Sequence, residues 1–96
     1  MGEDDKLAML TAALDMRTPT LERKNQLTTL LLVAASRLAD KGIRLNGSIS
    51  DAQLQVDYAA WLYRRRMMIS GPAMPEHLRM DINDRLIHGG GADDAL

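Results

Sequence analysis

The chain has 96 residues, with 12 Lys and Arg against 13 Asp and Glu, a formal charge of −1, no cysteine, and only Tyr58, Trp61 and Tyr63 as aromatics. That length suits one domain with a single core and leaves little room for a deep enclosed active site. The charge balance excludes a globally basic nucleic-acid binder, and the lack of cysteine excludes a disulfide framework, a thiolate metal site and a cysteine nucleophile.

The apolar residues are mainly Leu, Ala, Met, Ile and Val, a mixture that favours helix over sheet, so an all-α fold is expected. The longest apolar run, Leu30–Ala35, falls far short of the roughly 20 residues that a membrane-spanning helix needs. The acidic start is unlike a signal peptide, so a cytoplasmic origin without membrane contact is the expectation.

In chain order, Asp4–Leu14 places Leu7, Leu10 and Leu14 at helical spacing behind an acidic first turn. Pro19 then breaks the pattern, and Thr18 is placed to cap the second helix. From about Leu21 to Lys41, residues Leu27, Leu30, Leu31, Ala34, Ala35 and Leu38 form one stripe. Leu32 and Val33 widen it, which predicts burial on more than one side. Gly42 suits a left-handed cap at the end of this helix. Residues 43–49 read as a connector, a short loop or hairpin with an Asn46-Gly47 turn.

Ser50-Asp51-Ala52-Gln53 has the spacing of a capping box and opens a third helix, which Ser70-Gly71-Pro72 closes. Pro75 is placed as the first residue of a fourth helix. The predicted fold is a small all-α bundle of about four helices in a single domain, 1–96. It comprises an N-terminal segment 1–20, a helical core 21–88 and a flexible tail 89–96. The predicted core is Leu30, Leu31, Leu38, Leu54, Tyr58, Trp61, Leu62, Leu78, Ile82 and Leu86.

Catalytic and metal-binding patterns are weak. Neither His77 nor His88 has a second histidine at the i+4 spacing of a helical metal site, and the carboxylates that stand four residues away, Asp81 and Asp84, read as a solvated charged face beside Arg79 and Arg85. The serines have no histidine in a recognisable order, and Gly89–Gly91 comes after a helix where a phosphate loop would precede one. No catalytic residue, metal ligand or cofactor is therefore expected. The sharper feature is Arg64-Arg65-Arg66, whose side chains spread over about 200° of a helix and cannot all serve one purpose. Their two readings are internal pairing with Asp57, Asp81 or Asp84, and contact with a partner. Tyr63, off the leucine stripe, and the adaptable Met67, Met68 and Met74 extend the candidate interface around Arg64, Arg65 and Arg66.

A helix ending ASRLADKGIRL, a helix opening at DAQLQ and continuing VDYAAWLYRRR, a spacer, and MPEHLRMDINDRLIH succeed one another in this chain. Together they resemble the head-tail connector (adaptor) proteins of tailed bacteriophages. The resemblance runs from about Leu21 to His88 and is strongest over Tyr58–Arg64 and from Met74-Pro75 to Arg85. Each block alone is weakly specific; their order and spacing are more so. The segment before about Thr20 and the tail add little to the pattern.

The resemblance implies an adaptor that forms a ring, dodecameric in expectation, under the portal protein and above a stopper or tail-completion protein. Such a ring belongs to the virion at the head-tail interface and is assembled in the cytoplasm of the bacterial host. It extends the channel for packaged DNA without sequence-specific binding, and it catalyses no reaction. A ring built by head-to-tail contacts needs two different complementary patches on each protomer. The alternative is a small helical nucleic-acid-binding regulator using Arg64–Arg66 and the fourth helix. The stretch Arg66–Met74 is longer than a 3–4-residue helix-turn-helix corner, and Glu76, Asp81 and Asp84 oppose groove binding.

Overall fold

The computed structural model describes residues 3–45, 47–67 and 73–90, which form helices and turns with no strand among them. The helices are α1 (Glu3–Ala13), α2 (Leu21–Asp40), α3 (Ile49–Met67) and α4 (Glu76–Asp84), and a π-helical turn, Arg85–Gly90, continues α4. The all-helical class is the one expected. Of the α2–α3 connector's two readings, the described residues form a loop and no hairpin, and Asn46 lies outside them. The proposed stop at Ser70-Gly71-Pro72 also lies outside the described residues, and of the expected tail 89–96, Gly89 and Gly90 belong to the π-helical turn while 91–96 lie outside the described residues.

The helix ends arise from local chemistry, though at several places not from the residues first expected. Asp15 takes a left-handed conformation, φ 58°, and ends α1 well before Pro19. Its amide donates to the Ala12 carbonyl and that of Met16 to Thr11, the paired bonds that close a helix in a Schellman turn. Gly42, φ 96°, does the same for α2, with Gly42 N donating to Ala39 O and Ile43 N to Leu38 O. Leu38 and Ile43 are both buried, the apolar contact this turn favours.

At the helix starts, Thr20 and not Thr18 caps α2, its hydroxyl accepting from Arg23 N at 3.1 Å. Ser48 and not Ser50 caps α3, accepting from Asp51 N at 3.1 Å. Gln53 consequently does not complete a capping box and donates to Asp57 Oδ1 at 2.8 Å. Pro75 occupies the N-cap position of α4, one place earlier than expected. In the first two cases the cap hydroxyl sits where it can satisfy a backbone amide of the first turn.

Helix α3 is central. Asp51, Ala52, Leu54, Gln55, Val56, Tyr58, Ala59, Ala60 and Trp61 are all buried, which leaves only Gln53 and Asp57 of that stretch in contact with solvent. α2 runs antiparallel to it, since the start of α2 meets the end of α3 at Arg23–Tyr63 and Leu31 meets Gln55. α1 packs on both, and Leu10 is fully buried.

The buried positions of α2 are Leu27, Leu30, Leu31, Ala34 and Leu38, a single stripe. Leu32, expected to widen it, is 57% exposed because it lies well off that stripe at 100° per residue. Leu30, Leu31, Leu38, Leu54, Tyr58, Trp61, Leu78 and Ile82 are buried, and Leu62 is half-buried against them.

Leu86 departs from the predicted core, being 39% exposed. After Asp84 the chain widens into a π turn, which holds more residues per turn than an α-helix, so the i+4 step from Ile82 no longer returns to the core face. Arg85 turns inward instead. Its guanidinium pairs with the buried Asp51, donates to Ser50 Oγ at 2.6 Å and reaches Asp81 Oδ1 at 3.3 Å. Burial disfavours its charge, but the hydrogen bond and charge of Asp51, with Asp81 behind them, outweigh that and hold its pKa above the ordinary arginine value.

Asp81 is therefore part of a latch between α4 and the start of α3, and not only of a solvated face. Removing Arg85 takes away the ion pair of a buried carboxylate, Asp51. Arg85→Met is expected to cost about 3 kcal/mol in urea unfolding. The double variant Asp51→Asn/Arg85→Met should be more stable than Arg85→Met alone, and equal stability of the two would contradict the latch.

Candidate functional site

The end of α3 divides its three arginines among different tasks. Arg64 Nη2 donates to the Ala13 carbonyl at 3.1 Å, placing a cation against the negative end of α1. The Arg65 guanidinium lies 5.3 Å from the centroid of the Trp61 ring, within range of a cation–π contact. Arg66 is exposed and lines a surface hollow with Arg65. Neither sequence reading describes this arrangement fully, because Arg64 is used internally on a backbone carbonyl and the pairing with Asp57, Asp81 or Asp84 does not occur among the described ion pairs.

The hollow has a volume of about 450 Å³ between α2 and α3. Leu30, Val33, Tyr58, Trp61 and Leu62 form its apolar lining, and Arg37, Arg65 and Arg66 its charged rim. Tyr58 and Trp61 meet edge to face, with centroids 5.5 Å apart and planes at 87°, a favourable aromatic geometry that fixes the indole under Arg65. Among the described residues no carboxylate pairs with Arg37, Arg65 or Arg66. The site thus offers guanidinium groups held over a largely buried aromatic pair, suited to carboxylate-bearing or other anionic partners.

Arg37 belongs to this site and is absent from the predicted interface. Its signal was a spacing on α2, where Leu30, Val33 and Arg37 share a face beside the buried stripe, and only the antiparallel packing of α2 on α3 brings that face to Trp61 and Arg65.

Tyr63 is not simply presented to a partner. Its hydroxyl accepts from Arg23 Nη1 at 2.9 Å, and the Arg23 guanidinium lies 5.5 Å from its ring centroid. Met74 is half-buried and packs against the core. Met68 and the side chain of Met67 lie outside the described residues, as does the side chain of His88, whereas His77 is exposed.

A second, smaller hollow of about 230 Å³ is lined by Lys6, Thr28, Leu31, Leu32, Ala35, Leu45 and Gln55. At 100° per residue its α2 contributors lie about 180° around the helix from Leu30, Val33 and Arg37, so the two hollows occupy opposite flanks. Gln55 Nε2 donates to the Leu31 carbonyl at 2.8 Å, while its buried Oε1 has no hydrogen-bond partner among the described residues.

No family model, no curated protein and no solved structure matches this chain. Among the described residues, no group of three or more His, Asp or Glu is placed to hold a metal ion, and no helix is long and apolar enough to cross a membrane. The geometry therefore speaks through the arginine hollow.

Trp61 is the chain's only tryptophan, so its emission reports this site directly. Arg65→Ala is expected to shift that emission and to cost about 0.5–1 kcal/mol in unfolding free energy. An unchanged spectrum would contradict the Arg65–Trp61 contact.

Proposed function

We propose that this chain is a structural subunit of a tailed-bacteriophage head-tail connector, an adaptor that assembles as a ring under the portal and joins it to a stopper or tail-completion protein. The reading rests on the resemblance of its helical blocks, and the structural observation that supports it is the arginine hollow of Arg37, Arg65 and Arg66 over Trp61. Arginine beside aromatic residues is the composition of interface centres, where a planar guanidinium pairs with a carboxylate while apolar surface is buried. The role is mechanical and electrostatic and involves no reaction or cofactor.

In this reading the arginines face a subunit or portal boundary and not the channel. Each phosphate neutralised by an arginine releases counterions and tightens the hold on DNA, so a basic lumen would impede transit. The acidic residues Glu76, Asp81 and Asp84 on α4 likewise oppose groove binding. The stretch of sequence between the end of α3 at Met67 and the start of α4 at Glu76 is also longer than the turn of a compact helix-turn-helix, which suits an adaptor better.

Purified portals mixed with the chain should acquire rings visible by negative-stain imaging. Arg65→Glu/Arg66→Glu is expected to weaken that association by about tenfold or more while leaving the helical circular dichroism unchanged. Undiminished association would overturn the assigned surface. Tight binding of the free chain to nonspecific duplex at low salt, with no portal association, would favour the nucleic-acid-binding regulator instead.

A further inference from the structure

Among the described residues no carboxylate pairs with the arginines of the hollow, and the same molecule carries exposed carboxylates elsewhere. Asp4 and Asp5 are exposed in the first turn of α1, and the adjacent Lys6 borders the second hollow together with Leu32. Leu32 is 57% exposed despite its size. The exposed leucine thus lies in the hollow that Lys6 borders, and the two carboxylates immediately precede Lys6 in the first turn of α1. The other flank presents Arg37, Arg65 and Arg66 around a hollow whose accessible apolar side chains are the half-buried Val33 and Leu62, with Leu30 and Trp61 buried beneath them.

The two sets are complementary in charge and in apolar character. They cannot meet within one chain, since the hollows lie on opposite faces of α2 and α1 is packed against both α2 and α3.

We propose that the occupant of the arginine hollow is a second copy of this chain, which seats Leu32 over Val33 and Leu62 and directs Asp4 and Asp5 to Arg37, Arg65 and Arg66. The contact joins one flank to a different flank. It is therefore heterologous, leaves a free patch of each kind at the two ends of a dimer, and propagates into a ring or a filament. Arg64, held by the Ala13 carbonyl, takes no part. The inference rests on reading the chain as a ring-forming adaptor, and it adds which surfaces of neighbouring subunits meet.

The absence of cysteine makes the contact directly testable in the full-length chain. Asp5→Cys and Arg66→Cys chains, mixed and mildly oxidised, should form a heterodimer in at least about fivefold greater yield than Asp5→Cys mixed with Arg79→Cys. Arg79 is likewise an exposed arginine, on α4. A yield no greater than this control overturns the proposal.

Two further results bear on it without depending on cross-linking. Leu32→Gln should weaken self-association measured by sedimentation by about tenfold, and its exposure makes misfolding an inadequate explanation if circular dichroism is unchanged. Asp4→Arg/Asp5→Arg and Arg65→Glu/Arg66→Glu chains should each associate poorly alone and recover when mixed, because each then supplies the other's missing patch. No recovery on mixing overturns the assigned pairing. Coupling of the designed pair without any portal association would contradict the connector reading alone. Portal association with coupling no greater than the control would overturn this contact alone.

Discussion

Helix α3 is enclosed on almost every side from Asp51 to Trp61, and most of the remaining structure answers to that constraint. A helix so enclosed must satisfy any polar side chain it carries inward. Asp51 is satisfied by Arg85, which draws the end of α4 to the start of α3 and coincides with the π turn there. Gln55 reaches the Leu31 carbonyl and helps set α2 against α3, although its own Oε1 has no partner among the described residues. The alanines at 52, 59 and 60 supply little side-chain bulk, which permits close approach of neighbouring helices.

The same constraint shapes the surface. Where α3 emerges from its neighbours it carries Arg64, Arg65 and Arg66, so the transition from buried helix to charged end occurs within about one turn of Trp61. Arg64 settles on the end of α1, Arg65 lies over the indole, and Arg66 completes the rim of a hollow that Arg37 enters from α2. The result is a cationic rim over a buried aromatic pair, with an exposed leucine on the opposite flank. Such an asymmetric distribution suits the head-to-tail association proposed for a connector ring.

The fold class and the helix positions were readable because they depend on local signals: leucine spacing, Gly42 and the apolar stripe of α2. The central place of α3 was less readable. Its apolar residues surround the axis, so the face of Leu54, Tyr58, Trp61 and Leu62 described only part of its burial and left Val56, Ala59 and Ala60 unassigned. Leu86 was misplaced because a periodic pattern presumes an unbroken α-helix, and the π turn changes the period. Ser50 and Thr18 were plausible caps, but nearby residues with equivalent hydroxyls captured the amides first. Within the site, the arginine triplet was conspicuous in sequence. The participation of Arg37 and the internal engagement of Tyr63 and Met74 required the packing of separate helices.

The central claim is that the arginine hollow is covered by protein in the assembled state. Phenylglyoxal footprinting of arginines, read by mass spectrometry on the free chain and on portal-bound assemblies, tests it most directly. Arg37, Arg65 and Arg66 should lose reactivity together on assembly, while the exposed Arg44 and Arg79 retain theirs. Hollow arginines that remain as reactive in the assembly as in the free chain would contradict the account.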